Sequence, residues 1–393
     1  MSVIDLTSGT AFASLSAAIG GSSAGDVIAL SAGSYVENFP DITHSLTIES
    51  MGGLAHLTTP QPIPLNGRAI LDVPVGLNVS LTVSGLELSG AVDPTTNNNG
   101  AGILFEVGNG ALTVRNSWFH DNQEGILTGG TSSASTAGMT VTIDHSEFNN
   151  NGIPPGQAGS GYTHNLYVGS VDTLTVTNSY FHDAIGGHEI KSRALTSVIE
   201  NNRIQDQNGT ASYSIDLPDG GNATVTGNVI EKGVNALNRY AVHFSGEGLY
   251  ASSSLVLSGN TFIGDRPNGT TALLNQSGGF GLPAVPATGS GNTLYGIPLA
   301  NLYQDNFTGT SDALTGTNVL TGSAPPLDTS HPFGVGEPAS AWLLPLALLA
   351  TAVLRRRGAR RRAAPHARAS CSARAPSRSA ASGAAARASA PRG

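Results

Sequence analysis

Cysteine is all but missing from this 393-residue chain: its single copy, Cys371, stands near the far end. A disulfide framework is therefore excluded, and so are the clustered thiolates of a zinc or iron–sulfur site. Basic residues are scarce in the body. Of 19 Lys and Arg, 11 are arginines beyond residue 354, while all 27 Asp and Glu precede it. The eight remaining bases leave residues 1–354 at a formal charge of −19, which repels phosphate backbones and excludes non-specific nucleic-acid binding. The sequence contains no phosphate-binding loop and no HExxH pair. Extended apolar runs are missing too, except for residues 341–354.

What the chain does have is repetition. Seven copies of one phrase occur between residues 81 and 262: LTVSGLEL, LTVRNSWF, VTIDHSEF, LTVTNSYF, SVIENNRI, ATVTGNVI and LVLSGNTF. They end at Leu88, Phe119, Phe148, Phe181, Ile204, Ile230 and Phe262, with spacings of 31, 29, 33, 23, 26 and 32 residues. Short alternating strands at such a period predict a β-solenoid, whose units bury their apolar faces only by stacking. Gly, Asn, Asp and Ser clusters between copies supply the corners. Asn116, Asn178, Asn202, Asn228 and Asn260 stand two or three places before the end of their copies. They are expected to form a hydrogen-bonded ladder along the solenoid axis, at the strand spacing of about 4.8 Å.

These features resemble the right-handed, single-stranded parallel β-helix of the pectate-lyase-like superfamily, over roughly residues 10–300. The resemblance implies an all-β fold with a short capping helix at its N-terminal end. Phe12, Leu15 and Ile19 lie at helical spacing there, and Gly20-Gly21 ends the helix. A cap is needed because an uncovered first coil exposes core and unpaired backbone. The expected organisation is a cap over 1–24, a β-helix over 25–305 and a linker over 306–337. An apolar helical segment over 338–357 and a disordered Arg/Ala-rich tail over 358–393 complete it.

The segment VGEPASAWLLPLALLATAVLRRRGARRR joins Glu-Pro, an apolar run and three arginines. It resembles the PEP-CTERM sorting signal of exopolysaccharide-producing bacteria, departing from it at Gly336, where a proline is usual. The implied location is the cell envelope or extracellular matrix, with membrane contact through this segment. A simple C-terminal membrane anchor is the alternative, with the arginines kept on the cytoplasmic side. The start, MSVIDLTSGTAFASLSAAIGG, shows neither the basic region nor the apolar region of a secretory signal. The body is expected to be a monomer.

A second strand in each coil aligns by its central apolar residue: GILFEV, HNLYVG, HEIKSR, YSIDLP and AVHFSG. With Leu166, Ile190, Ile215 and Val242 turned inward, alternation sets Tyr167, Lys191, Asp216 and His243 in one outward, solvent-exposed row. Asn165 and Glu189 run beside it, Arg193 follows two places after Lys191, and His164 and His188 are near in sequence. Two of the eight body bases thus meet on one strand. Simple cross-strand ion pairs would explain the row equally well. The insertion at 149–163 is expected to wall one side of a groove.

The segment GGHEIKSRALTSVIENNRI, followed by SYSIDLPDGGNATVTGNVIEKG, resembles the alginate lyase and chondroitinase B group in layout. That resemblance implies β-elimination on a uronate polysaccharide, with Lys191 as the proton-abstracting base and calcium held by Glu189 and Asn165. The group's catalytic arginine is matched here by Asp216 or Leu217, so Arg193 or His243 would have to replace it. Tyr167, Asp216, His164 and His188 would then contact substrate. Two other readings remain open. Asp216 and Asp219 could form a glycosidase carboxylate pair, although the polygalacturonase signatures are missing. A surface scaffold could bind glycans through Trp118, Tyr162, Tyr167, Tyr180, Tyr213 and Tyr240 without catalysis.

Overall fold

The computed structural model describes residues 1–60, 68–93, 99–106, 108–129, 136–307 and 311–333. The expected apolar segment at 338–357 and the tail at 358–393, with Cys371, lie outside the described residues.

The described chain is a parallel β-helix entered through a small cap. Ser14 begins the helix Leu15–Gly21, its Oγ accepting the Ala17 N–H at 3.1 Å, and Glu37 accepts the N–H groups of Leu15 and Ser16 at 3.1 and 2.9 Å. These bonds satisfy donors that a helix start leaves unpaired. The helix buries Leu15, Ala18 and Ile19 over the first coil. Strand Val3–Asp5 pairs antiparallel with Asp26–Val36, closing the open edge at that end.

Each later coil contributes strands to three parallel faces. The first face carries strands such as Thr196–Glu200 and Asn222–Thr226, and the second carries Tyr180–His182 and Arg203–Gln205. The third carries Leu166–Val168, Ile190–Ser192, Ile215–Leu217 and Tyr240–Phe244. On the second face the phrase ends stack in one register: Leu88, Phe119, Phe148, Phe181, Ile204, Ile230 and Phe262. The three phenylalanine rings follow one another at 4.7 Å between centroids, 5° and 2° from parallel. That is the core row expected from the repeat. The solenoid runs further than expected, since Ala313–Thr315 and Asn318–Leu320 pair onto the preceding coil. The segment read as a linker therefore completes another coil.

The asparagine ladder is real but differs in membership. Asn228 Oδ1 accepts from the Asn202 N–H and Nδ2 at 2.9 and 3.1 Å, and the same pattern continues through Asn260 to Asn292. Toward the N-terminus Ser179, Ser146 and Ser117 hold this position through their hydroxyls. Asn116 and Asn178 stand one residue earlier, at φ 48° and 52°. They occupy the left-handed bend before the ladder, a conformation asparagine tolerates and most side chains do not. The phrase distance separates the two roles: two places before the phrase end is ladder, three is bend.

Beyond Leu320 the chain runs back along the second face. Arg203 donates to the carbonyls of Asp328 and Ser330 at 2.7 and 2.6 Å, His331 Nδ1 lies 2.5 Å from Glu147 Oε2, and Phe333 is buried near Trp118. Tyr180 and His182 stack at 4.2 Å on that face, and His182 is bonded to Asp183 and Glu147. His182 thus belongs to a different surface from His164 and His188. No helix among the described residues is long and apolar enough to cross a membrane.

Candidate functional site

The third face carries an outward row that reads, coil by coil, Leu104, Leu127, Tyr167, Lys191, Asp216, His243 and Leu274. Its polar stretch spans three strand spacings, about 14 Å. Strict pairing brings these groups together because parallel coils align equivalent positions. The row is not an open surface. Lys191 is 9 %, Asp216 2 % and His243 5 % exposed, since side chains and a loop cover the strand. What remains open is a groove of about 460 Å³ lined by His164, Tyr167, His188, Lys191, Arg193, Tyr213, Asp216, His243, Glu247 and Gln276, with Gly161 and Tyr162 at its rim. Those two rim residues come from the insertion expected to form a wall.

Asp216 organises the floor. Its Oδ1 meets His243 Nδ1 at 2.7 Å, and its Oδ2 meets Lys191 Nζ at 3.2 Å and His188 Nε2 at 3.3 Å. Burial alone would raise this carboxyl, but His188, the His243 hydrogen bond and Lys191 outweigh it and hold Asp216 well below the ordinary carboxylate range. His243 Nε2 lies 2.9 Å from Gln276 Oε1. Gly246 passes so close that a Cβ there would stand 2.5 Å from His243 Nε2, so a larger residue would displace the His243 ring.

His164 and His188 stack at 4.7 Å, Tyr213 follows His188 at 5.2 Å, and His243 follows Tyr213 at 4.5 Å. The Nδ1 of His164 accepts the His188 N–H, and that of His188 accepts the Tyr213 N–H, at 3.0 and 3.1 Å. Each ring is thereby fixed with its proton on Nε2. Burial pushes His188 down to about 4 and His164 well below its ordinary value, so both are neutral donors at pH 7. Beneath His164 lies Glu124, fully buried and accepting the His164 N–H at 2.8 Å. Burial raises its carboxyl well above the ordinary range, only partly offset by that bond and by Lys191.

Arg193 joins the other half of the groove. Its Nε donates to Tyr167 Oη at 3.0 Å, Nη1 holds both oxygens of Asp219 at 2.9 and 3.0 Å, and Nη2 bonds Glu247 Oε2. Glu247 Oε1 is 3.5 Å from Lys191 Nζ, which lies 5.8 Å from the Tyr167 ring centroid. One half-exposed carboxylate therefore bridges both groove cations. Asp219, offered by the sequence as half of a carboxylate pair with Asp216, is the anchor of Arg193. Neither Glu247 nor Gln276 was legible as a site residue, because each reaches the groove from a loop with no repeat phrase around it.

Glu189 and Asn165 are not in the groove. Both are fully buried in a polar corner, where Asn165 Nδ2 donates to Glu189 Oε2 at 2.5 Å and Glu189 Oε1 accepts the Ala184 N–H at 2.9 Å. Asn165 continues a second ladder from Asn122 and Asn151. Strand alternation stops at this corner, so residues expected beside the outward row turn inward. Burial and Asp206 raise Glu189 to about 8, so it is largely protonated at pH 7. A buried acid with both oxygens engaged does not fit a calcium ligand. Among the described residues no group of three or more His, Cys, Asp or Glu side chains is arranged to hold a metal ion.

No protein-family model and no curated protein matches this chain. Among solved structures it is similar to the PL6 family alginate lyase AlyGC, at 15% identity and a TM-score of 0.39 over 77% of this chain. An arginine-to-alanine mutant of that enzyme gives 19% identity and a TM-score of 0.38 over 78% of this chain. The chain spans 38% of the length of these structures.

Proposed function

We propose that the groove on the third face binds a uronate-containing polysaccharide and cleaves it by β-elimination. The observation that carries this reading is the shared edge of Arg193. Nε and Nη2 of a guanidinium point the same way, and here they meet Tyr167 Oη and a carboxylate side by side. A uronate carboxylate in that position, shared with Lys191, brings its C5 next to the Tyr167 oxygen. The Tyr167 oxygen, held by Arg193 Nε, takes the C5 proton as its own hydroxyl proton passes to the leaving group. The electron pair forms the C4–C5 double bond and the C4–O bond breaks, so Tyr167 ends as the phenol it began as. The step balances without a co-reactant.

This reading changes the role of Lys191. Its ammonium is engaged by Asp216 and Glu247, which suits carboxylate neutralisation better than proton abstraction. The successive rings of His164, His188, Tyr213 and His243 cover one another's faces and line the groove with their edges, across which a sugar chain can lie. A glycosidase reading is disfavoured, because Asp216 is locked among three bases and Asp219 is bound to Arg193, leaving neither as a proton donor. The expected result is an unsaturated-uronate absorbance on incubation with alginate or polygalacturonate, lost in Lys191→Gln. Binding without any absorbance change would leave a glycan-binding solenoid instead. Because Lys191 is buried and paired, not the exposed side chain its place in the row suggested, its variants require a melting control.

We further propose that residues 338–357 direct the protein to the cell envelope, on the strength of their Glu-Pro, apolar and tri-arginine order. A chain ending at Glu337 is expected to fold cooperatively and to leave the membrane fraction that holds the full-length protein. Identical fractionation of the two, or aggregation of the shorter chain, would overturn this.

A further inference from the structure

We infer that Glu247 is an internal stand-in for the substrate's carboxylate: it occupies the anion position between Lys191 and Arg193 and must swing out before a uronate can enter. The inference rests on the proposed binding reading and adds a gate and a ligand class to it. Three observations carry it. First, the carboxylate is split between the cations, Oε1 toward Lys191 at 3.5 Å and Oε2 on Arg193. That is how a planar carboxylate of a bound sugar would be shared. Second, Arg193 does not need Glu247 to stay in place, since Asp219 holds Nη1 with two bonds and Tyr167 holds Nε. Third, the side chain is 52% exposed while its backbone is pinned: the N–H groups of Gly246, Glu247 and Gly248 all reach the Pro218 carbonyl, at 3.0, 2.9 and 3.0 Å. Opening the site therefore takes a side-chain rotation into solvent and leaves the loop where it is.

The consequence is selectivity by competition. A ligand gains the two cations only if its own anion replaces Glu247, so a neutral glucan gains nothing from them. A carboxylate matches the position in shape and charge, whereas a bulkier tetrahedral sulfate does not. The Glu247 carboxylate is half in solvent, which screens its ion pairs, so this competitor yields to a ligand with many other contacts.

The test is calorimetric binding of an alginate oligosaccharide to wild type, Glu247→Gln and Glu247→Ala, with a neutral glucan oligomer and dextran sulfate as controls. Both variants are expected to bind the uronate oligomer roughly three- to tenfold more tightly, from the loss of two ion pairs whose carboxylate is half-exposed. Glucan binding should not change, and the gain with dextran sulfate should be smaller. If wild type binds the uronate and neither variant binds it more tightly, the stand-in role is wrong while the binding reading survives. If no form binds it, the binding reading falls and takes the gate with it.

Discussion

Tyr167→Phe is expected to lose about 10²–10⁴-fold in kcat on a polyuronate while its KM stays within a few-fold of wild type. The substitution removes one oxygen and keeps the ring. That ring packs against Leu104 and Leu127 on the same row, so the phenylalanine variant should melt within about 1 kcal/mol of wild type, the scale of one hydrogen bond. The contrast with Arg193→Lys makes the assignment sharper. Lysine cannot offer Tyr167 and a carboxylate the same rigid edge, so that variant should lose in both KM and kcat. If Tyr167→Phe kept wild-type turnover, proton transfer would have to be reassigned, with His243 beside Asp216 the next group to examine. Measured unsaturated product, and not binding, decides between them.

Fold and site were legible to different depths. The phrase ends predicted the stacked row from Leu88 to Phe262 because a core residue in a solenoid must recur at each coil. The alternation around Leu166, Ile190, Ile215 and Val242 predicted the row Tyr167, Lys191, Asp216 and His243, and parallel pairing reproduces it residue for residue. Alternation failed at the corners. Asn165 and Glu189 lie only one position from the strand centre, yet the chain bends there and folds them inward. Exposure failed as well, because the groove is closed by Glu247 from a loop 56 residues beyond Lys191 in the chain. A repeat reports what recurs, and the residues that turn a solenoid face into a site do not recur.

The same corner explains why so many polar side chains are buried in this body. With no disulfide, the coils are tied by buried side chains that serve the backbone: asparagines and serines on one corner, and Asn122, Asn151, Asn165 and Glu189 on another. Each unmet backbone donor in a corner would cost more than the side chain that meets it. Asp206 and Lys232 form an ion pair in which both side chains are fully out of solvent.

Replacing Lys232 by methionine is expected to destabilise the protein by about 3–5 kcal/mol at pH 8, the usual result of removing one partner from a buried ion pair. Lys232 and Asp206 are both fully buried, with Nζ 2.6 Å from Asp206 Oδ2 and 2.5 Å from the Ser212 carbonyl. Without the ammonium, Asp206 is left beside Glu189 and Glu231, two acids that burial and Asp206 itself raise to about 8. The pH dependence follows from those shifts. A carboxyl raised in the folded state contributes stability that is complete below its unfolded value, about 4.5, and is lost as pH rises through about 8. Wild type should therefore resist urea best near pH 5 and weaken toward pH 8. Lys232→Met should fall away more steeply over the same range, because at pH 5 Asp206 can accept a proton in place of the missing lysine. Adding Asp206→Leu should restore most of the loss, since the cost lies in the uncompensated charge and not in the missing contact. Urea midpoints for the three proteins at pH 5 and pH 8 check this. A Lys232→Met loss of equal size at both pH values, or one that Asp206→Leu fails to relieve, would mean that the corner is held by packing instead.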